Sequence, residues 1–185
     1  PWGIKNVVVV WRDGRDVMVS WYHQQLIPHG LNELQVERSR RELPLDDYGD
    51  VRRNLPAFIE YAFTRPHDPA FSWSEFVRRW RDRKDAVHVR YEDLLRDTPG
   101  ELRRVFRELT GERLSAERAS AIAEEFSFER QARRRPGQED RGSFLRKGVA
   151  GDWRNYFGPE ARRVFDRYAG EELILLGYER DRSWV

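Results

Sequence analysis

The chain has 185 residues, a length that suits one domain with a substantial core and is too short for two ordinary ones. Its formal net charge of +2 argues against a protein that coats nucleic acid, because such proteins depend on a strong positive field. It contains no cysteine, which excludes disulfides, thiolate metal sites and thiol nucleophiles and is typical of a reducing compartment, so we expect a cytoplasmic protein.

The first predicted element is a strand over residues 6–11, NVVVVW. This run is β-branched and does not alternate with polar residues, which favours a strand buried on both faces of a parallel sheet. The segment RDGRD breaks the strand, and a helix is predicted to begin at Asp16. The spacing places the following side chains on one face of that helix: Val17, Ser20, Trp21 and Gln24.

Residues 28–72 contain repeated Gly and Pro, which predicts short helices and mobile loops. The segment FSWSEFVRRWRDR, residues 71–83, predicts an amphipathic helix that is entered through Ser72 or Ser74. In this part of the chain Trp73 and Phe71 are candidates for the wall of a substrate pocket, with core packing as the alternative.

The second half of the chain repeats the order of strand, then helix. A strand is predicted over residues 86–91, AVHVRY, followed by a helix over residues 97–111 with Pro99 in its first turn and Gly111 as its stop. Further helices are predicted over residues 115–125 and from Pro159 onward, with a charged loop over residues 130–142. Two such units indicate a layered α/β fold.

The sequence contains no pattern that would indicate a metal site or a membrane span. The four His are scattered without the spacing of a metal site. No window approaches the roughly 20 apolar residues of a membrane span, and residues 1–5 lack the features of a signal peptide. We therefore expect no metal site and no membrane partner.

The ends of the two predicted strands carry the first candidate binding residues. Ligands of open parallel sheets collect at the carboxyl ends of strands, where Arg12 follows the first strand and Tyr91 ends the second. The local alternative is that Arg12 and Arg15 only form ion pairs with neighbouring Asp13 and Asp16. The stretch FLRKGVAGDW, residues 144–153, combines two cations with Gly and is a candidate anion-binding loop. The alternative is an ordinary surface loop.

Four segments, in their order, resemble the signature of sulfotransferases that use 3'-phosphoadenosine 5'-phosphosulfate: VVVVWRDGRDVMVSWYH, VHVRYEDLLRDTPGELRRVFREL, FSFE and FLRKGVAGDWRNYF. The resemblance extends from residue 6 to residue 168. Its most specific pieces are Arg12 with Ser20 further along the helix, and the loop RKGVAGDW. The resemblance implies a cytosolic-type sulfotransferase domain over residues 1–185, with an α/β, three-layer, P-loop-like fold around a central parallel sheet that is incomplete at its N-terminus.

The resemblance also implies roles for single residues. Arg12 and Ser20 resemble the pair that holds the 3'-phosphate of the nucleotide, and Arg suits this role because its planar fork can donate two hydrogen bonds. Tyr91 resembles the aromatic residue that contacts adenine. The remaining matches are Ser127 and Phe128, which flank the base, and Arg146, Lys147 and Gly148, in the loop that closes over the 3'-phosphate; Asp152 and Trp153 are expected to anchor that loop.

The family's 5'-phosphosulfate loop and its catalytic His have no counterpart in these residues. In the family both precede the strand that corresponds to residues 6–11, so we expect the chain to be a fragment, a chain completed by another polypeptide, or a degenerate homologue. No catalytic residue is assigned, and His23 is expected to be a packed or helix-surface residue.

The leading functional hypothesis is transfer of a sulfuryl group from 3'-phosphoadenosine 5'-phosphosulfate to a hydroxyl or amine of a small-molecule acceptor, with release of 3',5'-bisphosphoadenosine. A first alternative is a non-catalytic homologue that binds 3',5'-bisphosphoadenosine. A second is a nucleic-acid binder that uses Arg133, Arg134 and Arg135, which the balanced net charge disfavours.

Overall fold

The computed structural model describes residues 6–67 and 69–185. Residues 1–5 lie outside the described residues, and with them the expectation that this segment is not a signal peptide. Two compact units make up the chain: one holds the residues up to Arg12, Asp82–Glu139 and Lys147–Ala150, and the other holds Asp13–Arg81, Asp140–Arg146 and Gly151–Val185.

The first unit contains a parallel pair of strands, β1 (Val7–Trp11) and β2 (Ala86–Arg90). Val8 pairs in register with Val87, and Val10 with Val89. The predicted strands and their parallel arrangement are confirmed. The helices of this unit are α5 (Tyr91–Arg96), α6 (Thr98–Thr110), α7 (Ala116–Glu125) and α8 (Phe128–Ala132).

The prediction that β1 is buried on both faces is wrong. Val9 and Trp11 are buried, but Val8 is 39% exposed and Val10 47% exposed. Their register partners Val87 and Val89 on β2 are buried. An unbroken valine run therefore predicts a strand correctly, while the covering of each face depends on neighbours that the run does not specify.

Local capping signals account for the helix boundaries of the first unit. The side chain of Asp97 accepts a hydrogen bond from the backbone N–H of Gly100 at the start of α6, and Ser115 caps α7 in the same way through Arg118 N–H. Gly111 ends α6 in the left-handed conformation, with a φ of 77°. The sequence prediction of α6 and α7 is therefore confirmed.

The second unit is helical in its described residues. Its helices are α1 (Gly14–Leu26), α2 (Glu33–Glu42), α3 (Val51–Thr64), α4 (Trp73–Trp80) and α9 (Pro159–Leu175), with short 3-10 turns at Asp152–Asn155 and Arg182–Trp184. Its core is built from large apolar side chains, including Met18, Tyr22, Leu26, Leu55, Phe58, Phe165 and Leu173.

Helix α1 differs from its prediction in where it begins. It begins at Gly14 and is capped by the side chain of Asp13, so Asp16 is not its first residue. Its buried side is formed by Met18, Val19, Tyr22 and Leu26, whereas Ser20 is exposed. The buried side of α1 includes polar side chains such as Arg15 and Gln25, which mask its apolar periodicity in the sequence.

Residues 28–72 hold longer helices than their Gly and Pro content predicts. Helix α3 has 14 residues and includes Pro56. An interior proline costs a helix about 3 kcal/mol, whereas burial of one large apolar side chain contributes roughly 1.5–3 kcal/mol. Helix α3 buries several such side chains, among them Leu55, Phe58 and Ile59, so packing outweighs the proline.

None of the helices in the described ranges combines the length and apolar composition that a membrane span requires. Among the same residues, no group of His, Asp or Glu could hold a metal ion.

Candidate functional site

Arg12 and Tyr91 lie together in the first unit. Each directly follows one of the two paired strands, so the parallel register brings them to the same end of the sheet. The guanidinium carbon of Arg12 lies 4.6 Å from the centroid of the Tyr91 ring, a cation–π contact.

One nitrogen of Arg12 is left without a hydrogen bond. Its Nε is buried and has no partner among residues 6–67 and 69–185. A buried donor without a partner costs free energy, and a hydrogen bond to an anion would remove that cost. Arg12 is therefore a cation that is held by an aromatic ring and whose Nε can still donate a hydrogen bond to a ligand.

Ser127, Phe128 and Gly148 also belong to the first unit. Ser127 caps α8 by accepting a hydrogen bond from Arg130 N–H at 3.3 Å. Gly148 has a φ of +65°, and a Cβ atom there would lie 2.4 Å from Cδ2 of Phe128. The backbone of the loop therefore passes directly against the Phe128 ring, an approach that only glycine permits.

The neighbouring contacts fix the same loop. The backbone carbonyl of Lys147 accepts a hydrogen bond from Gly137 N–H at 2.8 Å. The Arg134 guanidinium carbon lies 5.2 Å from the centroid of the Phe128 ring. The first contact defines the backbone path at Lys147, and the second holds the Phe128 ring against which the loop passes.

A substitution at Gly148 tests this close approach. Gly148→Ala is expected to lower the free energy of unfolding by about 1–3 kcal/mol more than Gly137→Ala, because only the first forces a methyl group into an aromatic ring. Gly137 is the matched control, since it also has a positive φ, of 90°, but its Cβ would meet nothing within 4 Å. Urea denaturation of both variants measures the difference; equal losses would contradict the described contact.

Arg146 lies in the second unit, where its guanidinium is nearly buried, with 10% of the side chain exposed. Its Nη2 donates to Oδ2 of Asp152 at 2.6 Å. Oδ1 of Asp152 accepts a hydrogen bond from Asn155 Nδ2 at 2.8 Å. A buried carboxylate thus fixes the position of the Arg146 side chain, and the expected anchoring role of Asp152 agrees with this geometry.

Asp16 joins this segment to helix α1. Its carboxylate accepts hydrogen bonds from the backbone N–H groups of Gly151 at 2.5 Å and Trp153 at 2.8 Å. The sequence pairs Asp16 with an arginine as one alternative, but these bonds go to backbone amides far along the chain. No local pattern could have predicted them.

Arg15 is a fully buried cation of the same unit. It donates to both carboxylate oxygens of Asp13, at 3.0 and 2.8 Å, and to Glu179 at 2.5 Å. Its guanidinium carbon lies 3.7 Å from the ring centroid of Trp153 and 4.8 Å from that of Trp184. The predicted alternative of an Arg15–Asp13 ion pair is confirmed.

Three further candidate residues of the second unit, Ser20, His23 and Trp73, differ in their exposure to solvent. Ser20 is exposed on α1. His23 is buried, with its ring edge-on to those of Tyr22 and Tyr156, which confirms a packed residue. Trp73 is buried against Phe165, so the core-packing alternative holds for it.

A polar cluster between α2 and α3 escapes sequence prediction. Tyr61 donates its hydroxyl hydrogen to Glu42 at 2.9 Å and lies 3.1 Å from Nδ1 of His67. Burial, followed by the hydrogen bond to the Glu42 carboxylate, raises the pKa of Tyr61 to about 12. Tyr61 is thus a neutral hydrogen-bond donor at physiological pH and not a base.

Comparison with known proteins places the chain in a family. A sequence model described as the sulfotransferase domain matches residues 5–177. Human sulfotransferase 1C2 is 28% identical over 168 residues, which cover 84% of this chain and 50% of that protein. Rat sulfotransferase 2B1 is 26% identical over an alignment of 194 residues, covering 96% of this chain and 51% of that protein.

A solved structure shares the fold. The crystal structure of mouse sulfotransferase SULT7A1 complexed with PAP superposes with a TM-score of 0.64 at 24% identity, covering 90% of this chain and 57% of that one. This match confirms the predicted α/β fold with its parallel sheet. The chain spans about half the length of the curated relatives that it matches.

Proposed function

The chain belongs to the sulfotransferase domain family, and from this premise we propose that it carries the nucleotide-binding part of a sulfotransferase. The reaction moves a sulfuryl group from 3'-phosphoadenosine 5'-phosphosulfate to a hydroxyl or amine of a small-molecule acceptor. The observation that carries the proposal is Arg12, a cation at the end of β1 that contacts the Tyr91 ring and whose buried Nε has no hydrogen-bond partner in the described part of the chain.

We assign nucleotide binding to eight residues. Arg12 and Ser20 would hold the 3'-phosphate, and Tyr91 would border the adenine. The others are Ser127 and Phe128 beside the base, and Arg146, Lys147 and Gly148 in the loop over the 3'-phosphate. The exposed hydroxyl of Ser20 and the held guanidinium of Arg146 support these roles.

The chemistry of the family explains why cations are needed at this end of the donor. When the donor is bound, its sulfur–oxygen bond to the phosphate breaks as the bond from sulfur to the acceptor forms, and the acceptor loses a proton to a base. Arg12, Arg146 and Lys147 would fix the nucleotide so that the reacting atoms stand in line, which is the main contribution of positioning to catalysis. Fixed cations also stabilise the negative charge of the bisphosphate product.

A further polypeptide segment, in the same chain or another, is expected to complete the site. Exposed Val8 and Val10 on β1 support this, since a strand with an open edge and an uncovered apolar face is a site for pairing. That segment would supply the 5'-phosphosulfate loop and the base. The cytoplasmic location expected from the sequence stays a prediction.

Isothermal titration calorimetry tests the nucleotide assignment. We expect adenosine 3',5'-bisphosphate to bind about ten- to a hundredfold more tightly than adenosine 5'-monophosphate, because charged hydrogen bonds contribute roughly 1.5–3 kcal/mol each. Adenosine 2',5'-bisphosphate is the matched control ligand, as it has the same charge with one phosphate moved, and it should bind like the monophosphate.

Two outcomes would contradict the assignment. Equal affinity for the two bisphosphates would mean that the protein recognises charge and not the 3'-position. Uniform weak binding that falls steeply with salt, together with binding of unrelated oligonucleotides, would favour the Arg-rich nucleic-acid binder. Donor turnover by the completed protein separates an enzyme from a non-catalytic nucleotide binder.

A further inference from the structure

We propose that Asp16 is a positioning residue that sets the location of Arg146 and thereby the preference for a 3'-phosphate. This inference rests on the proposed function and adds to it a control point outside the residues that would contact the nucleotide. All the groups that carry it belong to the second unit.

The carboxylate of Asp16 holds the backbone on both sides of Asp152. It is 1% exposed and accepts hydrogen bonds from Gly151 N–H at 2.5 Å and Trp153 N–H at 2.8 Å, one to each oxygen. Hydrogen bonds to a buried charge are the stronger kind. The residue between the two amides therefore has little freedom to move relative to helix α1.

Asp152 in turn fixes the side chain of Arg146. Its Oδ2 accepts the bond from Arg146 Nη2 at 2.6 Å, while Asn155 holds the other oxygen at 2.8 Å. The Arg146 guanidinium also lies 5.9 Å from the ring centroid of Tyr156. A shift of the Asp152 backbone would thus move the guanidinium that we assign to the 3'-phosphate.

Separate contacts preserve the packing of this region when Asp16 is altered. Trp153 lies against the guanidinium of Arg15, which is bound to Asp13 and Glu179 and not to Asp16. In Asp16→Asn the amide oxygen can keep one backbone hydrogen bond, whereas the amide nitrogen faces the other N–H group and cannot accept from it. The expected defect is local misplacement of the loop in a folded protein.

The test compares nucleotide affinities by calorimetry in the wild-type protein and Asp16→Asn. We expect the variant to bind adenosine 3',5'-bisphosphate about tenfold more weakly, with its affinity for adenosine 5'-monophosphate unchanged. Asp50→Asn is the matched control, because Asp50 also accepts a backbone hydrogen bond, at the start of α3, but is exposed; it should bind both nucleotides like the wild type.

A double variant gives a readout that a general loss of stability would not reproduce. Since Asp16 is inferred to act through Arg146, Asp16→Asn combined with Arg146→Ala should bind the bisphosphate no more weakly than Arg146→Ala alone. Hydrogen exchange of one of the two amides, Gly151 or Trp153, should accelerate in Asp16→Asn, and that of neither should change in Asp50→Asn. Additive losses, or two amides that both remain protected, would overturn the inference.

The outcomes separate this inference from the proposed function. A wild-type protein without preference for the 3'-phosphate overturns both, whereas a preference that survives in Asp16→Asn overturns only the role of Asp16. An equal loss for both nucleotides would make Asp16 a structural residue. If Asp16→Asn does not fold, Asp16→Glu keeps the charge, displaces the carboxylate by one methylene, and should show the same selective loss.

Discussion

Arg15→Leu is expected to lower the free energy of unfolding by about 3–5 kcal/mol, the usual cost of removing one partner from a buried ion pair. Arg15 is 1% exposed and binds the carboxylates of Asp13 and Glu179. Without it, the carboxylates of Asp13 and Glu179 would lose the cation that they share, and the rings of Trp153 and Trp184 would lose their contact with the guanidinium. Urea denaturation followed by circular dichroism measures the loss.

An exposed ion pair of the same unit provides the control. Arg41 lies 3.3 Å from Glu37 on α2, and its side chain is 74% exposed. Pairs of this kind contribute roughly 0.3–0.5 kcal/mol, so Arg41→Leu should change stability very little. Losses of similar size in the two variants would show that Arg15 is not the central contact of this region.

Elements with local signals could be predicted from the sequence. The start and end of α6 follow from the Asp97 cap, Pro99 and Gly111, and the start of α9 follows from Pro159. Each of these signals acts within one helical turn, through a cap bond or a fixed backbone angle. They therefore remain valid whatever the rest of the chain does.

Features that depend on distant partners could not be predicted. The carboxylate that completes the Arg15 pair, Glu179, lies 164 residues away in sequence, and the amides that bind Asp16 lie 135 and 137 residues away. The burial of Arg15 and Asp16 on α1 could not be predicted for the same reason, because partners of each come from the other end of the chain.

The candidate site was predictable in part. Parallel pairing of two strands was enough to expect Arg12 and Tyr91 at one end of a sheet, and the structure shows their contact. The sequence also marks Gly148 as part of a candidate anion-binding loop. In the structure the backbone at Gly148 passes against the Phe128 ring, a contact that the sequence does not identify. Contacts between loops depend on backbone path, which short motifs do not encode.

Arg12→Met is expected to change stability and nucleotide affinity in opposite directions. In the free protein the buried Nε of Arg12 has no hydrogen-bond partner within the described chain, and burying such a donor costs about 1–3 kcal/mol. An apolar side chain of similar length removes this cost, so the free energy of unfolding should stay the same or rise. The affinity for adenosine 3',5'-bisphosphate should fall about ten- to a hundredfold, because the charge-assisted hydrogen bonds are lost.

Arg96→Met is the control for Arg12→Met within the first unit. Arg96 is 77% exposed and pairs with Asp93 on α5, so its replacement should alter neither measurement appreciably. Thermal or urea unfolding and calorimetry on the same preparations give both quantities. A strongly destabilised Arg12→Met with unchanged nucleotide affinity would make Arg12 a structural group and remove the main support for the nucleotide site. A stable variant that has lost its preference for the 3'-phosphate would instead show that the sequence keeps the costly buried Nε of Arg12 at the end of β1 because the ligand requires it.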